Sequence, residues 1–284
     1  MLIRDLNQLS EMQAVEDLQK EIWGVEDREI LPALAMIPVT KVGGLLLGAF
    51  DADELIGFAF AFPGVENHRL ILHSDMLAVK PAYRSHGIGY QLKLAQRRRA
   101  LEEGIDTITW TFDPLQSLNA RLNFGKLGVV SDKYYKDFYG ETTSFLHSTG
   151  TDRLWVTWPL NAERVAARIA GTHYSAPSEP PKLVTVGDQL EPISSDLNSS
   201  NQHLIEIPSN INAVSEDDPM LAGRWRLATR NAFTNALAKG FVVEEFDLVS
   251  AGEQQTGRYL LVKRNQGNLA APDLDISPSA AGLS

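Results

Sequence analysis

The sequence predicts an α/β protein, on three observations. Two apolar runs, 43–50 and 55–62, are joined by the polar turn Asp51-Ala52-Asp53-Glu54, the signature of a β-hairpin. A third strand-like run, Leu70 to Val79, leads through a glycine-bearing loop into an amphipathic stretch with helical spacing. The alternation of strand and helix then continues, with a strand over Asp106–Phe112, a helix over Ser117–Leu127 and strands over Tyr134–Phe138 and Leu154–Trp158.

Each element has a local cause. Ser10 followed three residues later by Gln13 reads as a capping box that opens a first helix. Met12, Val15, Leu18 and Ile22 give that helix one apolar face, and Gly24 ends it. Residues 31–40 form a shorter helical or irregular stretch broken by Pro32 and Pro38. In the third strand Ile71, His73, Asp75, Leu77 and Val79 share a face, provided no bulge intervenes. The helix from Gly87 to Glu103 carries Ile88, Leu92 and Ala95 as its apolar stripe and stops at Gly104. Residues 172–201 are rich in Ser, Pro and polar side chains, and read as a boundary or a long loop. Beyond it lie a strand at His203–Ile207, a helix opened by Asp218-Pro219 and running to Lys239, and strands at Phe241–Val249 and Tyr259–Val262. The expected organisation is a main unit over 1–160, a helix and linker over 161–201, a smaller α/β unit over 202–266 and a disordered tail over 267–284.

Composition narrows the function. The 284 residues are 44% hydrophobic and 22% charged, which is enough apolar material to bury a core without staples. With no cysteine, disulfides, thiolate metal sites and cysteine nucleophiles are excluded. The formal charge of -10 argues against nucleic acid as the main partner. The N-terminal residues lack the basic stretch and apolar run of a signal peptide, and no run approaches the roughly 20 apolar residues that span a bilayer. A cytoplasmic protein is expected, with no membrane partner. The six histidines show no ligand spacing, so no metal site is expected.

The strongest motif is Arg84-Ser85-His86-Gly87-Ile88-Gly89, between a strand and a helix. A helix start presents unpaired N–H groups and a positive dipole end, and so suits a pyrophosphate. Gly87 and Gly89 carry no side chains, which lets the backbone approach an anion closely. The pattern is neither the dinucleotide Gly-x-Gly-x-x-Gly nor a P-loop. Arg-x-x-Gly-x-Gly after a strand ending Met76-Leu77-Ala78-Val79 resembles motif A of the GNAT acetyltransferases, and the order of elements over about 1–160 is similar to that family. Ala120-Arg121-Leu122-Asn123-Phe124-Gly125-Lys126-Leu127-Gly128-Val129 matches the spacing of a second family segment.

The resemblance implies a GNAT acyl-coenzyme A acyltransferase fold: a central mixed, mostly antiparallel sheet with splayed middle strands and flanking helices. It implies acetyl-coenzyme A, or another acyl-coenzyme A, as co-substrate. The amides of Ser85, His86, Gly87, Ile88, Gly89 and Tyr90, preceded by Arg84, would hold the pyrophosphate. The backbone near Leu77 and Val79 would pair with the pantetheine arm between the splayed strands, with Asn119 and Asn123 close by. The sequence departs from the family at Phe124, where many members carry a tyrosine that protonates the leaving thiolate. The wider pattern resembles a poorly characterised subfamily with an extra C-terminal part.

Direct acyl transfer needs a base for the acceptor amine and a stabiliser for the carbonyl oxygen. Asp75 and His73, on the strand beside the expected cofactor, are candidates for the base or for a base and its orienter. Tyr134, Tyr135 and Tyr139 are the nearest substitutes for the missing phenol, with Tyr135 the chosen one. Glu66 reads as solvated, and so does the basic run Arg97-Arg98-Arg99, which otherwise would touch the adenosine phosphate. Arg226 and Arg230 read as surface residues that could instead reach an acidic substrate. The expected activity is acetyl transfer to an amine of a small molecule, with a homodimer left open. The alternatives are a non-catalytic acyl-coenzyme A sensor with a degenerate site, and an unrelated phosphate-binding enzyme that reuses the loop.

Overall fold

A computed structural model of the chain describes residues 1–140, 150–172, 179–251 and 254–264. The tail expected over 267–284 lies outside the described residues. The chain opens with strand β1 (Leu2–Asp5), helix α1 (Leu9–Trp23) and helix α2 (Ala33–Lys41). The capping box falls two residues earlier than the sequence suggested. The Glu11 carboxylate accepts from the Asn7 and Gln8 N–H groups at 2.9 and 3.0 Å, while Ser10 sits inside the helix. Gly24 ends α1 in the left-handed conformation, at φ 61°. Pro32 caps α2 rather than breaking it, and Pro38 is accommodated inside.

The hairpin is β2 (Leu45–Asp51) and β3 (Glu54–Glu66), followed by β4 (Arg69–Val79). Helix α3 (Ile88–Glu102) leads to β5 (Thr107–Phe112). A short helix α4 (Ser117–Ala120) continues as a π-helical segment, Arg121–Leu127. Strands β6 (Val130–Tyr135) and β7 (Arg153–Pro159), then helix α5 (Glu163–Ile169), follow. The stretch read as a loop holds two short strands, β8 (Lys182–Val186) and β9 (Pro192–Ser194). Then come β10 (Gln202–Pro208), α6 (Ile211–Asp217), α7 (Pro219–Ala238), β11 (Phe241–Ala251) and β12 (Gln254–Lys263). Asp218 caps α7 as its sequence predicts, accepting from the Leu221 N–H at 3.0 Å.

The strands form one 12-stranded mixed sheet in the order β1-β2-β3-β4-β5-β7-β6-β11-β12-β10-β8-β9. The join between the two halves is a single pair, Val243 opposite Ser131. A shared core compensates for this thin seam. Trp110, Phe124 and Trp158 from the first half belong to the same buried cluster as Ile205, Trp225, Phe233 and Tyr259 from the second. The Tyr259 hydroxyl donates to the Pro114 carbonyl at 2.7 Å, and the Ser117 hydroxyl to the Ser209 carbonyl.

Two buried ion-pair groups also bind the halves. Arg226 reaches both Asp113 oxygens at 2.8 Å. Arg230 donates to Asp152 at 2.6 and 2.8 Å, and Asp152 also accepts from the Tyr134 hydroxyl at 2.6 Å. These arginines are therefore not free surface groups. Burial pushes the Asp152 carboxyl up, but Arg230, Tyr134 and the Asp137 N–H outweigh it and hold the pKa below its ordinary value. Among the described residues no helix is long and apolar enough to cross a membrane.

Candidate active site

The site starts from one irregularity in β4. Opposite β3, Phe60 pairs with Met76 but Phe62 pairs with His73, so β4 carries an extra residue at Ser74–Asp75. The bulge breaks the alternation expected for this strand. Ser74, Asp75, Met76 and Leu77, four successive residues, all line one cavity, which a regular strand does not allow. His73 falls on another wall, with its ring against Phe62 and Trp155 at 5.3 and 4.8 Å between centroids. Asp75 and His73 thus do not share a face.

At the same point β4 parts from its other neighbour. The parallel pairing of β4 with β5 consists of Leu72 with Ile108 and His73 with Thr109, and goes no further. Beyond it the two strands diverge, leaving one edge of β4 from Ser74 to Val79 without a strand partner among the described residues. The cavity between them has a volume of about 200 Å³. Trp23 of α1, Lys93 of α3, Trp110 of β5, and Asn119 and Asn123 of the α4 segment complete its walls.

The glycine loop stands at the end of β4. Gly87 is the N-cap of α3 with φ 77°, a conformation that strains any L side chain, and a Cβ there would meet only open space. A Cβ on Gly89 would come within 3.3 Å of the Leu77 side chain. The first α3 amide with an intrahelical acceptor is that of Gln91, which bonds the Gly87 carbonyl at 3.0 Å. The amides of Ile88, Gly89 and Tyr90 precede it and point out of the helix start. Ser85 also has positive φ, at 67°. The His86 ring bonds the Arg84 carbonyl at 2.8 Å, and Arg84 Nε reaches the Val79 carbonyl at 3.2 Å. The exposed loop can therefore receive an anion with no side chain in the way.

Burial sets the electrostatics. Asp75 is open to solvent on one side, yet the protein around it desolvates the carboxyl and raises its pKa. Burial also lowers His73 to about 4, helped by the Lys93 charge and opposed by Glu66. The His73 Nδ1 lies 2.9 Å from the Thr109 hydroxyl. Tyr135 stands 40% exposed on β6, against Trp155 at 6.0 Å between ring centroids, and does not line the cavity. Tyr134 stacks on Phe233, and its hydroxyl is spent on Asp152. Glu66, read as solvated, pairs with Lys133 at 2.5 Å. Arg97 donates to the Leu160 carbonyl at 2.7 Å, so it is not a free phosphate ligand.

The fold also brings Lys93 and Gln96 to the site, two residues that the sequence did not single out. Both are buried on the α3 face behind Ser74. Phe124 does not face the cavity: it is fully buried against Phe112 and Tyr259, with centroids at 6.2 and 5.8 Å. Asn123 lines the cavity instead.

Residues 12–128 match the family model described as acetyltransferase (GNAT) family. The N-terminal part of this chain is a GNAT acetyltransferase domain. The family takes its acyl group from acetyl-coenzyme A, and the match covers the elements from α1 through the π-helical segment. No curated protein matches the chain in sequence. Among solved structures, it is similar to an aminoglycoside 6'-acetyltransferase type Ii, at 20% identity over 57% of this chain and 99% of that one, with a TM-score of 0.46. It is also similar to the ribosomal-protein-S18-alanine N-acetyltransferase from Escherichia coli, at 14% identity over 57% and 94%, TM-score 0.45. An aminoglycoside 6'-N-acetyltransferase complexed with coenzyme A matches at 17% identity over 57% and 99%, TM-score 0.43. The rest of this chain, beyond the GNAT domain, is unmatched by the family model.

Proposed function

We propose that the protein transfers an acyl group, acetyl first, from coenzyme A to an amine of a small molecule. The observation that carries this reading is the parting of β4 and β5 beyond His73 and Thr109, with a cavity in the gap. The amides of Ser85 to Tyr90 would hold the pyrophosphate, with Arg84 at their edge. The open β4 edge at Leu77 and Val79 supports backbone pairing with the pantetheine amides, and Asn119 and Asn123 offer polar groups along the same gap.

Asp75 is the favoured base. It lines the cavity, and its raised pKa suits a group that takes a proton from an ammonium near neutral pH. His73, neutral at pH 7 and bonded to Thr109, and Tyr135, across Trp155, belong to a separate aromatic wall; their role is to receive the acceptor's body. Main-chain N–H groups of the bulged strand are the candidate stabilisers of the carbonyl oxygen.

Isothermal titration with acetyl-coenzyme A tests binding: heat and a thermal upshift are expected, and neither at millimolar ligand would reject the reading. A chain without cysteine leaves coenzyme A as the sole thiol in a thiol-reagent assay. Thiol release that depends on an added amine and falls in Asp75→Asn is the expected outcome. Tight binding with no release against a broad amine panel favours the acyl-coenzyme A sensor instead. The motive for that second reading is Phe124, which is buried against Phe112 and Tyr259 and offers no proton to a leaving thiolate.

A further inference from the structure

We propose that Ser74 and Lys93 form the leaving-group side of this site, Ser74 giving its hydroxyl proton to the departing sulfur and Lys93 supplying the replacement. The inference rests on the acyl-transfer reading above, and assigns it residues that the glycine motif and the family segment do not contain.

The first ground is an unusual lysine. Lys93 is 4% exposed on α3, a cost that a leucine or methionine there would avoid. Among the described residues it has no carboxylate partner. Its Nζ donates to the Ser74 hydroxyl at 2.8 Å and lies 3.6 Å from the centre of the Trp110 ring. Burial drives its pKa well below that of an ordinary amine. The second ground is place. Ser74 is the bulge residue where β4 leaves β5, and both Ser74 and Lys93 line the cavity. Ser74 in turn donates to Gln96 Oε1 at 3.0 Å, and Gln96 Nε2, fully buried, has no partner. The bulge thus presents two different proton chemistries in successive residues: a carboxylate at Asp75 and an amine-backed hydroxyl at Ser74.

The titratable groups near Lys93 are Asp75, in the same cavity, and His73, which feels its charge. The other cavity walls, from α1, β5 and the α4 segment, contribute neutral side chains. In the reaction the C–N bond forms as the acceptor nitrogen attacks the thioester carbon, and Asp75 takes the nitrogen's proton. The C–S bond then breaks. The Ser74 hydroxyl turns from Gln96 Oε1 to the sulfur and gives up its proton there, while the Lys93 ammonium passes one to the Ser74 oxygen. Asp75 has gained one proton and Lys93 has lost one, and both reset by exchange with solvent. No redox partner is needed.

The test needs no acceptor. Thiolate absorbance of bound coenzyme A, taken against the dethio analogue to cancel tyrosine, is followed with pH in the full chain. The protein contributes no thiol. In the wild type the bound thiol should ionise at lower pH than in Lys93→Met or Ser74→Ala, by about one pH unit, a tenfold change in thiolate at fixed pH. Methionine replaces lysine at similar length, and Ser74→Ala is the second, milder variant should Lys93→Met fail to fold. Normal coenzyme A binding with the same midpoint in wild type and Ser74→Ala overturns this inference and leaves the acyl-transfer reading standing. No binding by the wild type overturns both.

Discussion

At the scale of single residues, chemistry and stability pull in opposite directions. Among the described residues no ion pair holds Asp75, and its raised pKa, caused by desolvation, means that the folded state disfavours its ionised form. Asp75→Asn should therefore raise the melting temperature at pH 7 while lowering thiol release by roughly 10²-fold or more, the usual span for losing a general base. A calorimetric scan beside the rate assay checks both. His73 works the other way. Its folded pKa of about 4 lies below the ordinary 6.5, so the unfolded chain binds the extra proton first as pH falls. Its contribution is complete above about 6.5 and is lost on acidification towards about 4. Roughly 1–3 kcal/mol should go over that window, and His73→Gln should flatten that limb of the stability profile. Phe124→Tyr is the third case. A hydroxyl in that packed site has no partner, so the change should cost about 1–3 kcal/mol in denaturant melts and restore no rate. Asp75, Leu77, Asn119 and Asn123 line the cavity, and the sequence named them from the strand before the glycine loop and from the family segment. Lys93 was not named. A lysine on a helix is ordinarily solvated, and only the bulge in β4 brings Ser74 to it.

The elements show which local rules carry through. Hairpin, glycine turn and caps follow short-range chemistry, and residues 43–62, Gly87 and Asp218 all fold as their neighbours dictate. The bulge was invisible because nothing within β4 encodes it; it exists relative to β3. Strands β8 and β9 were hidden by a Ser- and Pro-rich composition that says turn, while pairing with distant β10 overrides it. Gly87→Ala separates fold from ligand at the loop. With φ at 77° it should cost about 1–2 kcal/mol of stability, since the left-handed region strains alanine. It should also weaken coenzyme A binding in titration, because the new methyl enters the space an anion would use.

For the whole molecule, the decisive fact is that one core serves both halves. A fragment of residues 1–160 would uncover Phe124, whose ring lies against Tyr259 of β12, and Tyr134, which stacks on Phe233 of α7. It should show fluctuating tertiary packing: near-UV circular dichroism lost, far-UV signal largely kept. Arg230→Met, which strands the buried Asp152, should cost about 3–5 kcal/mol. The two ends of the sheet bear on assembly. One terminal strand, β1, has four residues and is flanked by the Arg4–Glu11 ion pair; the other, β9, has three and begins with Pro192. Short rims with a charge pair and a proline are poor templates for annealing to a neighbour's backbone. Two copies that associate should therefore meet through side chains on a helical or open sheet surface, and their contact should not lengthen the array of hydrogen-bonded strands.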